Sequence, residues 1–85
     1  MPVISRFFGI VIYMHWGDHS PPHFHAGYEG EEVMIEIENG NAVGKIKQRA
    51  LVLIQEWRQL HQAQLMENWK LAQQKLILKS IEPLE

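Results

Sequence analysis

The sequence predicts an α+β fold: an antiparallel meander of about four strands with two C-terminal helices packed on one face. Three observations predict it. Residues Glu32 to Glu38 alternate, with Val33, Ile35 and Ile37 on one face and Glu32, Met34, Glu36 and Glu38 on the other, the period of a half-buried strand. Asn39-Gly40 follows at once, and both residue types accept the positive φ of a tight hairpin turn. From Lys47 to about Leu78 there is no Gly or Pro, and apolar residues recur at Ala50, Leu53, Ile54, Trp57, Leu60, Leu65, Trp69, Ala72 and Leu76, a helical spacing.

The elements follow in chain order. Phe7 to Met14, "FFGIVIYM", is an unbroken apolar, β-branched and aromatic run, predicted as one strand buried on both faces. "WGDHSPP" is a loop, because Gly17, Asp18, Ser20, Pro21 and Pro22 all break regular structure. "HFHAGY" is a short strand, Glu29-Gly30 a turn and "EVMIEIE" the next strand. Asn39-Gly40 is predicted as a two-residue hairpin loop, and "AVGKI" returns as a further strand. One continuous helix over the following stretch would run ~45 Å, against ~30 Å for a compact chain of this length. Two helices with a break near His61 to Ala63 are therefore expected. The tail "ILKSIEPLE" is extended and stopped by Pro83. The whole chain, 1–85, is one domain, with strands over about 7–46 and helices over about 47–78.

Composition narrows the function. The 85 residues are 46% hydrophobic and 21% charged, which excludes a disordered chain. There is no cysteine, so neither a disulfide framework nor a Cys-type zinc site is available. No run approaches the ~20 apolar residues of a membrane span. "MPVISRFFGIVIYM" also lacks the cleavage site of a signal peptide, so a cytoplasmic location is expected. The net charge of −2 is unevenly spread. Residues 1–45 carry six acidic side chains against Arg6 and Lys45, whereas residues 46–85 carry six basic against four acidic ones. An acidic N-terminal half favours cations over phosphates.

That half holds four of the five histidines: His15, His19, His23 and His25. Strand periodicity puts His23 and His25 on one face. A two-residue loop at Glu29-Gly30 sets Phe24 opposite Ile35, Ala26 opposite Val33, His25 opposite Met34 and His23 opposite Glu36. A four-residue loop sets His25 opposite Glu36 and His23 opposite Glu38. Two readings stand side by side. In one, His23 and His25 join His19 or Asp18 from the Pro-stiffened loop to ligate a divalent transition metal such as zinc, nickel or iron. In the other, the imidazoles pair with glutamates across the strand, which raises their pKa, and Pro21-Pro22 only stiffens a turn. Without a metal, His23 and Glu36 form a candidate acid/base pair for RNA cleavage, with Arg6 or Lys45 near the phosphate. His61 is a helix-junction residue, Trp57 and Trp69 are core anchors, and Trp16 is an exposed contact residue at the loop.

At "DHSPPHFHAGY" the chain resembles a family of small bacterial proteins, the domain of unknown function numbered 4160. The resemblance rests on Pro2 to Ile10, Asp18 to Tyr28, the acidic strand Glu31 to Glu38, Trp57 to His61, Asn68-Trp69 and the closing Ile81 to Leu84. Asp18, His19, His23 and His25 match its pattern position by position. His15 stands where the family has an aromatic residue, and it is left out of the candidate site. Members resembling this chain are encoded beside a second small protein, an arrangement similar to toxin–antitoxin modules. The resemblance thus implies a small protein partner, with RNA as the target such toxins often act on; a second copy of the chain is the other expected partner, because 85 residues without a disulfide bury limited apolar area. The alternative is a small metal-binding protein or metal-dependent enzyme built on Asp18, His19, His23 and His25.

Overall fold

The computed structural model describes residues 2–85. Five strands form one antiparallel sheet in sequence order: β1 (Val3–Phe7), β2 (Ile10–Tyr13), β3 (His23–Tyr28), β4 (Glu31–Glu36) and β5 (Ala42–Lys45). Two helices follow, α1 (Gln48–Leu60) and α2 (Gln62–Gln73). The α+β class and the meander are as the sequence predicts, with one strand more.

The extra strand, β1, lies mostly ahead of the apolar run predicted as one strand and of the predicted start near residue 7; the run itself holds only Phe7 of β1, then a turn and β2. Phe8 and Gly9 turn with φ of 50° and 82°, and Phe7 pairs with Ile10. A bulky residue at positive φ is an unusual turn former, so only Gly9 marked the reversal. A register shift between Val3 and Ser5 follows. Ile4, Phe7, Ile10 and Ile12 join the core, while Phe8 is exposed.

The β3–β4 hairpin takes the shorter of the two registers. Glu29 and Gly30 form the two-residue loop at φ of 48° and 82°. Phe24 pairs with Ile35, Ala26 with Val33, His25 with Met34 and His23 with Glu36. Phe24, Ala26, Val33 and Ile35 are consequently buried on the helix side.

Asn39-Gly40 departs from expectation. Ile35 pairs with Ala42, and the Glu36 N–H donates to the Asn41 carbonyl, which leaves a four-residue loop, Ile37 to Gly40, in place of a two-residue turn. Long-range contacts explain the difference. The Ile37 N–H donates to the Pro22 carbonyl, 3.1 Å. The Ile37 carbonyl accepts from buried Arg58 (2.8 Å) and from Gln62 (2.9 Å), and the Gly40 carbonyl accepts from Gln55 (2.8 Å). These bonds hold Ile37 in the core, where a tight hairpin would have kept it in the β4–β5 ladder.

The helices break at His61, whose φ of −128° leaves the helical range, so the junction falls where expected. α1 buries Ala50, Ile54, Trp57 and Arg58, and α2 buries Leu65, Asn68, Trp69 and Ala72. Leu60 and Leu76, counted in the apolar stripe, are exposed: one ends α1, and the other lies beyond α2, which stops at Gln73 and not near Leu78. The tail after α2 is extended and lies against the sheet edge, with the Ile81 N–H donating to the Ile4 carbonyl. Among the described residues no helix is long and apolar enough to cross a membrane.

Val33, Ile35 and Ile37, the apolar face of the alternating strand, share one core cluster with Ile54 and Trp57. Ile35 is wholly buried. Replacing it with Ala should cost roughly 2–4 kcal/mol, the transfer loss plus a residual cavity. Urea unfolding measures this directly, and a cost below about 1 kcal/mol contradicts the core assignment.

Candidate metal centre

Strand alternation puts Tyr13, His23, His25, Met34 and Glu36 on the face opposite the buried Phe24 and Ala26. The loop between β2 and β3 folds back over this face. Two bonds pin it to the end of α2: the Gly17 N–H donates to the Ala72 carbonyl (3.1 Å), and the Gln73 side chain donates to the Asp18 carbonyl (3.0 Å). Trp16 stays half exposed, as expected for a loop contact residue, and its indole N–H donates to the Leu76 carbonyl (3.0 Å).

Thus anchored, Asp18 meets both β3 histidines. Its Oδ2 lies 2.9 Å from His23 Nε2 and 3.2 Å from His25 Nε2. One ligand atom from each of the three residues falls within 4.8 Å of the others, a spacing that one metal ion can bridge. His23 Nδ1 donates to the Pro21 carbonyl at 2.8 Å. A carbonyl and a carboxylate are both acceptors, so the two His23 contacts are satisfied together only when both ring nitrogens carry hydrogen. A metal ion on Nε2 would leave the Nδ1–H on its carbonyl, the outer hydrogen bond that orients most metal-ligating histidines.

The remaining candidates fall differently. His19 contributes only its backbone N–H, which donates to Asp18 Oδ1 at 2.9 Å, while its side chain is exposed and outside the three-residue group. Glu36 is opposite His23 in register, but its carboxylate accepts from Asn39 (3.1 Å) and His23 takes Asp18. The expected cross-strand His–Glu pairs do not form. His23 is also not open to solvent: it is buried, and its ring lies 5.2 Å from that of Trp69.

Several contributors were not anticipated. His15 is exposed, with its ring 4.5 Å from that of His25. Two positions earlier on the same strand direction, Tyr13 stacks on His25 at 5.3 Å. Its hydroxyl donates to Glu32 at 2.8 Å, and burial together with that carboxylate pushes the phenol up to about 12. The available signal was the period of two linking Tyr13 and His15 to the face of His25.

Electrostatics favours an ionised Asp18 beside neutral His25. Burial opposes ionisation of Asp18, but hydrogen bonds from His25, the His19 N–H and His23, with the charge of His23, hold its carboxyl at about 2. His25 moves down from its ordinary value, against the sequence expectation. Burial is the main cause; the Asp18 hydrogen bond opposes it, and the neighbouring charges of His15 and His23 add smaller downward pushes. Both groups bind protons more weakly folded than unfolded, so both make stability fall with acid. The Asp18 contribution is complete above the unfolded value near 4 and is lost as pH drops toward about 2. We expect it to amount to about 1–2 kcal/mol, allowing for partial exposure of the carboxylate. Urea melts of parent and Asp18→Asn protein at about pH 5 and about pH 2.5 measure it. Equal acid losses in the two proteins would contradict the assignment.

A five-stranded meander with helices on one face and two histidines and a carboxylate gathered on the other defines a small α+β protein with a compact polar centre. The chain belongs to a family described as a domain of unknown function, DUF4160, whose model matches residues 9–70 and so spans Asp18, His23 and His25. Neither the curated proteins nor the solved structures contain a significant match.

Proposed function

We propose that the protein binds a divalent transition metal through His23 Nε2, His25 Nε2 and an Asp18 carboxylate oxygen. The observation that carries this reading is the convergence of three ligand atoms within 4.8 Å of one another. The Pro21 carbonyl on the far side of the His23 ring supports it. Two imidazoles and a carboxylate suit zinc, nickel or iron better than calcium, which takes oxygen ligands.

Metal-free RNA cleavage by His23 and Glu36 draws less support. His23 is buried and bonded to Asp18, not to Glu36. Arg6 and Lys45 lie in a single row across the sheet, Arg6–Val11–Gly27–Glu32–Lys45. That row meets β3 four residues from His23, about 13 Å along the strand. A toxin–antitoxin role with a protein partner rests on the family's gene arrangement and is compatible with a metal-stabilised fold.

Calorimetry with zinc and nickel on protein without a histidine tag tests the proposal. Parent protein should bind one equivalent, and His61→Ala should bind as well, because His61 sits at the helix junction with its Nδ1 on Gln64 (2.6 Å). His25→Ala should weaken binding by about a hundredfold or more, since two ligands replace three. Binding no tighter than roughly millimolar, or a His25→Ala protein equal to parent, refutes it.

A further inference from the structure

We infer that the metal centre takes a small bidentate oxygen ligand of the 2-hydroxy-carboxylate type, seated in the cavity beside Asp18 and His23; this rests on the metal-binding reading above. The cavity has a volume of about 280 Å³, and its wall includes Asp18, Ser20, Pro21, His23, Met34 and Glu36. Two of the three metal ligands therefore face it. Closed structural sites use four protein ligands, whereas three leave positions for an outside ligand. In octahedral geometry two histidines and one carboxylate leave three positions, enough for a two-point chelate.

The wall selects the chemistry. A divalent ion with one carboxylate and two neutral imidazoles keeps one net positive charge, which favours a monoanion. Glu36 stands on the same wall, with Asn39 donating to its Oε1. It is an acceptor for a protic group next to the metal-bound oxygens, and its charge disfavours a ligand that presents a second anionic group. A 2-hydroxy acid meets both conditions: its carboxylate and hydroxyl oxygens chelate the ion, and the hydroxyl proton points to an acceptor. Met34 and Pro21 offer apolar contact to a short chain. The volume is at the lower edge of small-molecule sites, so the ligand is small.

Cobalt(II)-loaded protein, whose visible absorption reports coordination, is titrated with lactate and with propionate, which lacks the hydroxyl. Lactate should change the spectrum saturably and half-saturate at least about tenfold below propionate, the combined effect of a second oxygen on the metal and one hydrogen bond to a charged acceptor. Glu36→Ala should lower that ratio by the hydrogen-bond part, several-fold, and leave the part due to chelation, with cobalt affinity unchanged. Met34→Trp, which fills the cavity, should remove the lactate response and retain cobalt binding; Met34→Phe serves if the larger change unfolds the chain. Cobalt binding without a lactate response overturns this inference and leaves the metal centre standing. An undiminished response in the cavity-filled variants, or equal affinity for lactate and propionate, also overturns it. Failure to bind cobalt at all overturns the metal reading and this inference together.

Discussion

Trp57→Ala should remove roughly 4–6 kcal/mol of stability, a large share of what holds the chain folded. Trp57 is wholly buried and joins parts of the protein distant in sequence. Its ring packs 5.4 Å from Phe7 on β1 and meets Phe24 on β3 edge-on at 5.8 Å. Its indole N–H donates to the Glu82 carbonyl at 2.8 Å and so holds the extended tail. Truncating a buried aromatic to Ala costs roughly 3–5 kcal/mol, and the lost bond leaves the Glu82 carbonyl short of a partner, roughly another 1 kcal/mol. A chain of 85 residues has about 4–13 kcal/mol of stability in total, at about 0.05–0.15 kcal/mol per residue. Trp57→Phe separates the two parts: it keeps most of the packing but drops the hydrogen bond, so the tail should become protease-sensitive while the sheet persists. Circular dichroism and urea melts check both. An Ala variant with an unchanged midpoint would falsify the role given to Trp57.

The core was legible because its signals are local and repeated. Alternation in β4 and the helical spacing of Ile54, Trp57, Leu65 and Trp69 each recur over several residues, and a one-residue slip of register would bury charge. The β1–β2 hairpin was hidden because its turn residue, Phe8, is as apolar as its neighbours, so the run read as one strand. The β4–β5 loop was misjudged because its length is set from outside. Arg58, Gln62 and Gln55 reach from the helices to the Ile37 and Gly40 carbonyls, and nothing in "ENGN" announces that capture.

The site was half legible for similar reasons. His23 and His25 come together by strand period alone. Asp18 joins them only because the loop is tied to Ala72 and Gln73, more than fifty residues onward, so spacing gave Asp18 and His19 equal standing. Backbone geometry then divides them, turning the Asp18 side chain inward and offering only the N–H of His19. His23 and Glu36 stand opposite one another but do not pair, because register does not decide which acceptor a side chain takes. Asp18 reaches His23, and Asn39 engages Glu36.

The same division yields the second large effect. Asp18→Asn should weaken zinc or nickel binding by about two orders of magnitude or more, whereas His19→Ala should stay within about threefold of parent. Asn keeps the shape of the side chain but removes the charge that makes its oxygen a good ligand. It also removes the one carboxylate that converges with His23 and His25. His19→Ala preserves the backbone N–H on the residue 18 side chain and deletes only an exposed imidazole. The pH profile gives an independent check. Protons compete with the metal for both imidazoles, so affinity should climb between about pH 5.5 and about 7.5. Metal should therefore make stability rise over that range more steeply than in its absence, since ligand binding to the folded state stabilises it by mass action. Calorimetry on untagged parent, Asp18→Asn and His19→Ala proteins across that range measures all of this. If His19→Ala lost affinity as Asp18→Asn does, the exposed imidazole would be a ligand and the three-residue centre would be wrongly drawn. If neither variant differed from parent, the metal would bind elsewhere, and Asp18 would be a loop anchor for two histidines and nothing more.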